Sequence, residues 1–354
     1  MPPDELNGRI NSKFMEFCPG YCERSLSGDI YLEDATPWDI ASLYCLTSVG
    51  GYFRVYYNTT LTKFTGLEKL TTVGGHFEIH QSAVMTSLSG LENLRSVGGR
   101  VLIFHIERLT SLSGLSGLSS VGEDLTVGDS DALASLTGLE RLSSVGGTVK
   151  ITQNVELTSL SPLLGLSSVG GLDISDNPKL TSLTGLEGIS SVSGGLNVEN
   201  NDALTSLSAL SGLSSVGGDL RVSYNDTLTS LSGLEGVSSL GGNLYVGHND
   251  ALTSLAGLEG VTSVSEYLSI YGNDALTSLS GLEGVTSIVG DLYVINNDAL
   301  TSLDGLQGLT SVRDDLEITD NDDLCEDDVE ELIAQLTSFS GTVTNTDNLG
   351  TCPS

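Results

Sequence analysis

The sequence predicts a mainly β protein, a parallel β-solenoid of about twelve coils of 24 residues with a cap at each end. Two observations predict this class: one leucine-containing step returns along most of the chain, and the apolar residues within each step follow two different spacings. Successive steps begin 24 residues apart, except for one interval of 23 between Leu157 and Leu180, at Leu61, Met85, Leu109, Leu133, Leu157, Leu180, Leu204, Leu228, Leu252, Leu276, Leu300 and Leu324. Such regularity indicates one array of stacked coils rather than separate globular domains.

Each coil contains two kinds of segment. From Leu252 to Val264 an apolar residue recurs at every third position, which fits neither a helix nor a strand and suits short extended pieces joined by tight turns. Leu268 and Ile270 then alternate with polar residues, as in a strand with one buried face. We therefore expect one main parallel sheet, built from one strand per coil, with coils stacked about 4.8 Å apart.

Asparagine and glycine recur at fixed places in the coil. An asparagine at a turn is expected to bond the backbone of its own coil and of its neighbour, and this column contains Asn58, Asn154, Asn177, Asn201, Asn225, Asn249, Asn273, Asn297 and Asn321, with Ser82, Ile106 and Ser130 as interruptions. Glycine pairs precede the strands and are expected to allow a turn with positive φ, as at Gly50–Gly51, Gly217–Gly218 and Gly241–Gly242.

The repeated motif resembles a known family. Residues 218–225 read Gly-Asp-Leu-Arg-Val-Ser-Tyr-Asn, and the wider pattern Leu-x-Val-x-x-Asn-x-x-Leu-x-x-Leu looks like a leucine-rich repeat. The glycine–aspartate variant more closely resembles the receptor L-domain, the ligand-binding module of insulin-receptor and EGF-receptor type ectodomains and of microbial surface proteins. The resemblance covers roughly residues 28 to 325 and implies a right-handed solenoid whose main sheet presents a binding face. The chain departs from that family in having more coils, of unusual uniformity.

The ends differ from the repeats and define three regions: residues 1–48 as an N-terminal cap with the first coil, residues 49–324 as the solenoid, and residues 325–354 as a C-terminal cap. An open solenoid exposes apolar surface at its ends, so caps are required. Apolar residues at helical spacing predict a helix from Glu326 to Leu336, followed by a strand from Gly341 to Thr344. A short helix from Pro37, next to Trp38, is predicted in the N-terminal cap.

All five cysteines lie in the predicted caps. We expect one disulfide between Cys325 and Cys352, and a second that joins Cys45 to Cys22 or to Cys18. Disulfides of this kind indicate an oxidising compartment, so an extracellular or cell-surface protein is expected, although no signal peptide is recognisable in residues 1–7. The alternative is a cytosolic protein with five reduced thiols.

The charge balance excludes several classes of partner. With 46 acidic and 14 basic side chains the formal net charge is −32, whereas proteins that bind nucleic acids or anionic membranes rely on Lys and Arg. No stretch of about 18 apolar residues occurs, so membrane insertion is not expected. Enzyme motifs such as Gly-x-Ser-x-Gly, His-Glu-x-x-His and a phosphate-binding glycine loop are also lacking from the sequence.

Outward strand positions are the candidate ligand-binding residues, because the inward positions are fixed by the core. One group combines aromatic and cationic side chains in an acidic chain: Tyr52, Arg54, Tyr56, His76, Glu78, His80, Arg100 and Phe104. A second group is rich in tyrosine: Tyr245, Tyr267, Tyr271 and Tyr293. The alternative interpretation is ordinary cross-strand packing. A zinc site formed by His76, Glu78 and His80 is disfavoured, because side chains two residues apart on a strand stand too far from each other, and no metal or cofactor is predicted.

Two acidic columns follow the repeat. One comes directly after the asparagine column and contains Asp131, Asp202, Asp226, Asp250, Asp274, Asp298 and Asp322; the other contains Glu68, Glu92, Glu140, Glu187, Glu235, Glu259 and Glu283. Repulsion between such carboxylates costs about 1 kcal/mol or less per pair in water. We interpret both columns as solvated charge, and calcium binding is the less favoured alternative.

These observations predict a non-catalytic recognition or adhesion protein that binds a protein or glycan through its sheet face. The runner-up is an ice-binding or other surface-adsorbing protein. Ice binding would use a threonine column next to a serine column, formed by Thr62, Thr86, Thr110, Thr158, Thr181, Thr205, Thr229, Thr253, Thr277 and Thr301. Consecutive Thr and Ser cannot both face outward equally, which counts against this alternative.

Overall fold

The computed structural model describes residues 23–352 and forms a parallel β-solenoid of about 13 coils with few helices. The chain divides into two compact units, with unit 1 ending at Gly170 and unit 2 beginning at Gly171. This boundary falls in the one coil of 23 residues, where other coils have one additional residue before the strand, an aspartate in several of them. The repeat irregularity in the sequence therefore coincides with the boundary between the units.

Unit 1 has two parallel sheets, and strands are numbered in chain order. Its short-strand sheet contains, in spatial order, β1 (Arg24–Leu26), β3 (Leu46–Val49), β5 (Thr72–Val73), β7 (Ser96–Val97), β9 (Ser120–Val121) and β11 (Ser144–Val145). Its long-strand sheet contains β2 (Ile30–Glu33), β4 (Phe53–Tyr56), β6 (Phe77–His80), β8 (Val101–Phe104), β10 (Leu125–Gly128) and β12 (Thr148–Thr152). Helix α1 (Pro37–Ala41) and two 3₁₀ turns, Ser113–Leu115 and Ser161–Leu163, complete the unit.

Unit 2 repeats this plan. Its long-strand sheet contains β13 (Gly171–Ser175), β15 (Leu196–Glu199), β17 (Leu220–Ser223), β19 (Leu244–Gly247), β21 (Leu268–Tyr271), β23 (Leu292–Ile295), β25 (Leu316–Thr319) and β27 (Val343–Thr346). The short strands form two sheets, β14 (Ser191–Val192), β16 (Ser215–Val216) and β18 (Ser239–Leu240), then β20 (Ser263–Val264), β22 (Ser287–Ile288), β24 (Ser311–Val312) and β26 (Ser338–Phe339). A 3₁₀ turn (Ser208–Leu210) and helix α2 (Glu326–Gln335) complete it.

The core consists of columns of identical apolar positions. Parallel pairing in register places Leu244 beside Leu268 and Val246 beside Ile270, so each inward side chain stacks on its counterpart in the next coil. All four are fully buried. The predicted period-three segment is confirmed as well, since the leucines and valines that recur from Leu252 to Val264 are at most 1% exposed.

The asparagine column forms the ladder that the sequence predicted. Nδ2 of Asn201 donates to the carbonyl oxygens of Glu199 in its own coil and of Ile174 in the preceding coil, each at 2.9 Å. The backbone N–H of Asn201 donates to Oδ1 of Asn225 in the next coil at 3.2 Å. Both asparagines are fully buried, so the ladder supplies partners for turn groups that water cannot reach.

The glycine pairs do not serve the predicted turn. In the described part of the chain positive φ occurs at other glycines, such as Gly233 at 115°, and not at these pairs. Their reason is close backbone approach between coils: a Cβ at Gly74 would lie 2.3 Å from the carbonyl oxygen of Gly50, and one at Gly241 would lie 2.1 Å from that of Gly217. The prediction of a positive φ at the pairs is therefore wrong.

The C-terminal cap follows the prediction closely. Helix α2 ends one residue before Leu336 and buries Val329 and Leu332. Three acidic residues occupy its first turn, where the helix dipole favours negative charge. Cys325, the N-cap residue, forms the predicted disulfide with Cys352, and their Cα atoms are 5.1 Å apart. The final strand, β27, begins two residues later than expected and pairs with β25.

In the N-terminal region, helix α1 starts at Pro37 as predicted and is capped by Thr36, whose side chain and backbone exchange hydrogen bonds with Asp39. Trp38 is 82% exposed. Cys45 is disulfide-bonded, and its predicted partners, Cys22 and Cys18, lie outside the described residues.

No helix within residues 23–352 is long and apolar enough to cross a membrane.

Candidate ligand-binding face

The first predicted group forms a contiguous surface on β4, β6 and β8 of unit 1. Parallel register places Arg54 beside Glu78 and Tyr56 beside His80, while the intervening Val55 is fully buried. We call this surface the arginine–aromatic cluster, and define it as Tyr52, Arg54, Tyr56, His76, Glu78, His80, Arg100 and Phe104. The strand alternation therefore brings together all eight residues of that group from three successive coils.

Glu78 lies at the centre of the cluster and is only 2% exposed. Nε of Arg54 donates to one carboxylate oxygen, and Nε of Arg100 donates to the other at 2.7 Å. Glu78 therefore occupies an outward strand position and is nevertheless buried, because the two arginines cover it. Burial by itself would raise the pKa of Glu78, but the hydrogen bonds from Arg100 and Arg54 outweigh burial and lower that pKa.

Two pairs of stacked rings flank this ionic centre. Tyr52 and His76 stack with ring centroids 4.7 Å apart and an interplanar angle of 24°. Tyr56 and His80 stack at 5.8 Å and 15°. Tyr57, which sequence reasoning did not select, is 55% exposed and places its edge against both Tyr56 and His80. Each ring of a pair therefore covers one face of the other.

His76 has a structural contact that the sequence pattern concealed. Its Nδ1 accepts a hydrogen bond from the backbone N–H of Arg100 at 3.0 Å. In other coils an aspartate accepts the equivalent bond, since Asp29 accepts from the N–H of Tyr52 and Asp124 accepts from that of Thr148, both at 2.7 Å. The Gly-Asp-Leu motif of other coils could have indicated this role, because its aspartate occupies the same position before the strand as His76.

The same nitrogen of His76 has a second neighbour. Nδ1, which accepts from the N–H of Arg100, also lies 3.5 Å from Oε2 of Glu123. Both oxygens of Glu78 and Nδ1 of His76 are therefore engaged within the protein. Within residues 23–352, one group of potential metal ligands lies close together, formed by Cys325, Asp327 and Cys352. Its two cysteines are joined in a disulfide, so their sulfurs are not free thiolates that could bind a metal.

His105 lies at the end of β8 beside the cluster, and sequence reasoning assigned it no contact. Its Nδ1 is 2.6 Å from Oδ2 of Asp129. The hydrogen bond to Asp129 raises the pKa of His105, and burial opposes this only in part. The φ angle of His105 is 56°, a left-handed conformation that also occurs at Tyr57.

The second predicted group lies in unit 2 and is defined as the tyrosine cluster: Tyr245, Tyr267, Tyr271 and Tyr293. The guanidinium carbon of Arg221 lies 4.7 Å from the ring centroid of Tyr245, a cation–π geometry. Tyr267 meets Tyr293 edge to face at 6.3 Å. Burial and the neighbouring Asp291, which accepts from the Tyr293 hydroxyl at 2.9 Å, raise the pKa of Tyr293 to about 12.

Tyr271 joins this cluster to a stacked pair at the strand ends. Its ring meets His248 edge to face at 4.9 Å, and His248 stacks on Tyr224 at 4.3 Å. The Tyr271 hydroxyl accepts from Nδ2 of Asn296 at 3.1 Å. Two hydroxyls of the tyrosine cluster, those of Tyr271 and Tyr293, thus have hydrogen-bond partners among their neighbours.

The glutamate column and the threonine column also form hydrogen bonds within the protein. Each glutamate of the Glu column accepts from a glycine N–H two residues earlier, as Glu235 does from Gly233 at 2.8 Å. The threonine column is exposed in every coil where it occurs, but some of its hydroxyls donate to the preceding coil, as Thr301 does to the carbonyl oxygen of Thr277 at 3.2 Å. Both columns therefore contribute to the coil structure.

Comparisons with known proteins do not assign the chain to a family. No family model matches the sequence, and no curated protein matches it. Among solved structures the chain is similar to TLR13 in the crystal structure of its complex with ssRNA13, with 16% sequence identity and a TM-score of 0.28. The similarity covers 91% of this chain and 49% of that chain, so this chain spans about half the length of that structure. The assignment as a leucine-rich-repeat-like solenoid therefore rests on the strand order, register and repeat described above.

Proposed function

We propose that this protein is a non-catalytic recognition protein that binds its ligand through the outward face of the long-strand sheet in unit 1. One observation carries the proposal: two arginines converge on the buried carboxylate of Glu78 between two aromatic pairs. Arginine, tyrosine and histidine of fixed orientation are the residue types that anchor interfaces, because little entropy is lost when they bind. No such convergence of cationic side chains occurs in the tyrosine cluster.

The coil architecture supports this assignment, since a solenoid presents a continuous sheet face on which each coil contributes its own outward residues. The resemblance of the Gly-Asp-Leu motif to the receptor L-domain supports the same face and a protein or glycan ligand. We further propose an extracellular or cell-surface location, on the basis of the Cys325–Cys352 disulfide. Mass spectrometry of natively isolated, unreduced protein should find this linkage, and five free thiols would contradict the location.

The experiment that tests the function is a paired selection. Wild-type protein and a variant with Tyr56→Ala and His80→Ala are each applied to a glycan array and to a surface-protein library. The proposal expects at least one ligand that the wild type retains and the variant loses. If every retained ligand binds the variant equally well, this face is not the recognition surface.

A second candidate function, ice binding, is favoured by one observation, the exposure of the threonine column in every coil where it occurs. The donation of Thr205, Thr277 and Thr301 hydroxyls to neighbouring carbonyl oxygens counts against it, because these hydroxyls are already in use. Thermal hysteresis and ice recrystallisation assays separate the two functions, since only an ice-binding protein changes ice growth.

A further inference from the structure

The donors that remain on Arg54 and Arg100 point to a particular ligand chemistry. A guanidinium has five N–H groups. Glu78 accepts from Nε of Arg54 and from Nε of Arg100, and Nη2 of Arg100 forms an ion pair with the same carboxylate. Within residues 23–352 the Nη groups of Arg54 and Nη1 of Arg100 have no further protein acceptor. The side chains are 34% and 46% exposed, respectively, so these donors can reach a ligand.

Glu78 determines how these donors are oriented. Its carboxylate is buried and held from two sides, so each guanidinium has one edge fixed on Glu78 and the other edge unoccupied. Two arginines and one glutamate leave one positive charge at the centre of the cluster. A fixed, planar pair of donors with net positive charge is the arrangement that binds a carboxylate with two hydrogen bonds.

The rings of the cluster disfavour a sugar as the source of that carboxylate. Sugars stack on open aromatic faces, and in each pair one face of each ring is already covered by the other ring. Polar atoms of the rings also have partners within the protein, since Nδ1 of His76 accepts from the N–H of Arg100 and the hydroxyl of Tyr56 lies 3.5 Å from Glu33. The stacked rings therefore offer a sugar fewer open faces and polar atoms than separate rings would.

The border of the cluster is acidic. Asp29 accepts from the hydroxyl of Tyr31 at 3.2 Å, Glu33 lies 3.5 Å from the hydroxyl of Tyr56, and Glu123 lies 3.5 Å from His76. The whole chain carries a formal charge of −32, so it attracts cationic proteins and repels polyanions at long range. The charge pattern is thus a positive centre within a negative border.

We infer that the partner is a protein with a positively charged surface and an acidic side chain at its centre, whose carboxylate is bound by the unoccupied donors of Arg54 and Arg100. This inference rests on the proposed function, because it names the partner chemistry of the same face. Basic groups of the partner would meet the acidic border, and its central carboxylate would complete the hydrogen bonding of the two guanidinium groups.

Two synthetic peptides provide the probe. One is a heptapeptide blocked at both ends, with a central glutamate between pairs of lysines, and the other is its glutamine twin. The full chain, labelled with nitrogen-15, is titrated with each peptide and followed by NMR through the Nε–H signals of its arginines. We expect the glutamate peptide to bind about tenfold more tightly than the twin, as one charge-assisted hydrogen bond pair would give, and to shift the signals of Arg54 and Arg100.

Substitutions of the two arginines then test whether binding depends on the planar shape of the guanidinium groups rather than on their charge. A variant with Arg54→Lys and Arg100→Lys keeps the net charge but has no planar pair of donors, so its preference for the glutamate peptide should fall to about twofold or less. If the double variant does not fold, Arg100→Lys alone is used to measure the same preference for the glutamate peptide. The matched control is Arg95→Lys, an exposed arginine of unit 1 outside the long-strand sheet, which should keep the tenfold preference.

The outcomes separate this inference from the proposed function. Equal binding of both peptides, with shifts confined to the cluster, overturns the carboxylate inference and leaves the recognition face in place. A preference that survives both lysine substitutions also overturns it. Shifts confined to other surfaces, such as the aspartate column, count against the carboxylate site and against this face as the binding surface.

Discussion

Oδ1 of Asn273 accepts two hydrogen bonds from Asn249 in the preceding coil, one from its backbone N–H at 3.1 Å and one from its Nδ2 at 3.3 Å. Nδ2 of Asn249 also donates to the carbonyl oxygens of Val222 and Gly247. The same arrangement continues along the ladder to Asn348 in the C-terminal cap, whose Oδ1 accepts from Asn321. Side-chain amides therefore join consecutive coils inside unit 2.

Replacement of Asn249 tests the contribution of this ladder to stability. Asn249→Ala leaves several fully buried backbone groups without partners, so we expect a loss of about 3 kcal/mol in the free energy of unfolding. The chain offers a milder control, because at Ser130 a hydroxyl donates to the carbonyl oxygen of Gly128 and accepts from the N–H of Ile106. Asn249→Ser should therefore cost about half as much.

Urea unfolding, followed by circular dichroism, measures both free energies. Equal costs for Ala and Ser, each below about 1 kcal/mol, would show that the ladder contributes little to stability.

Glu78 makes stability depend on pH in a defined direction. Its pKa in the folded protein is lowered by Arg100 and Arg54 in spite of burial, so the folded state binds its proton less readily than the unfolded state does. The stabilisation is therefore fully present above the unfolded pKa and is lost as the pH falls through the folded pKa.

We expect Glu78→Gln to lower the free energy of unfolding by about 2 kcal/mol at pH 7, a value reduced for the partial exposure of both arginines. The difference from wild type should shrink steadily as the pH falls below 4.5, the ordinary pKa of the carboxyl. Glu317→Gln is the matched control, since Glu317 has an outward position on β25 beside Tyr293 and Thr344 rather than beside arginines. A pH-independent difference for Glu78→Gln would contradict the ion-pair account.

The aspartate column is expected to respond weakly to calcium. Burial and the neighbouring Asp322 and Asp274 raise the pKa of Asp298, so this group costs stability when it is ionised and the cost disappears as the pH falls through its folded pKa. Asp298→Asn should therefore change stability by about 0.5 kcal/mol or less, towards greater stability at pH 7.

Millimolar calcium should shift the melting temperature by about one or two degrees at most, because solvated carboxylates form no specific site. A large shift that saturates at low calcium concentration would reveal a site that binds the native state, and Asp298→Asn would then reduce it.

Much of the fold follows from the repeat alone, because the apolar columns and the asparagine column recur at a spacing that suits a stacked coil. Helix α2 lies outside the repeat and follows from apolar residues at helical spacing. The role of the glycine pairs was predicted wrongly. The sequence does not distinguish a glycine required for positive φ from one required for close approach between the backbones of neighbouring coils, as at Gly74. The site was predicted only in outline. Alternation on a strand shows which residues point outward, but the burial of Glu78 depends on Arg100 reaching diagonally from the next coil.

The central claim is that the arginine–aromatic cluster is the recognition surface, and its most direct test is the affinity of a selected partner. Tyr56→Ala with His80→Ala should weaken binding, measured by isothermal titration calorimetry, by about 2 kcal/mol or roughly 30-fold. Because both residues are half-buried, the loss of stability should stay near about 1 kcal/mol each. The matched control removes another stacked pair, Tyr224→Ala with His248→Ala, and should leave affinity unchanged. Unchanged affinity in the first variant, together with a loss in the second, would contradict the account.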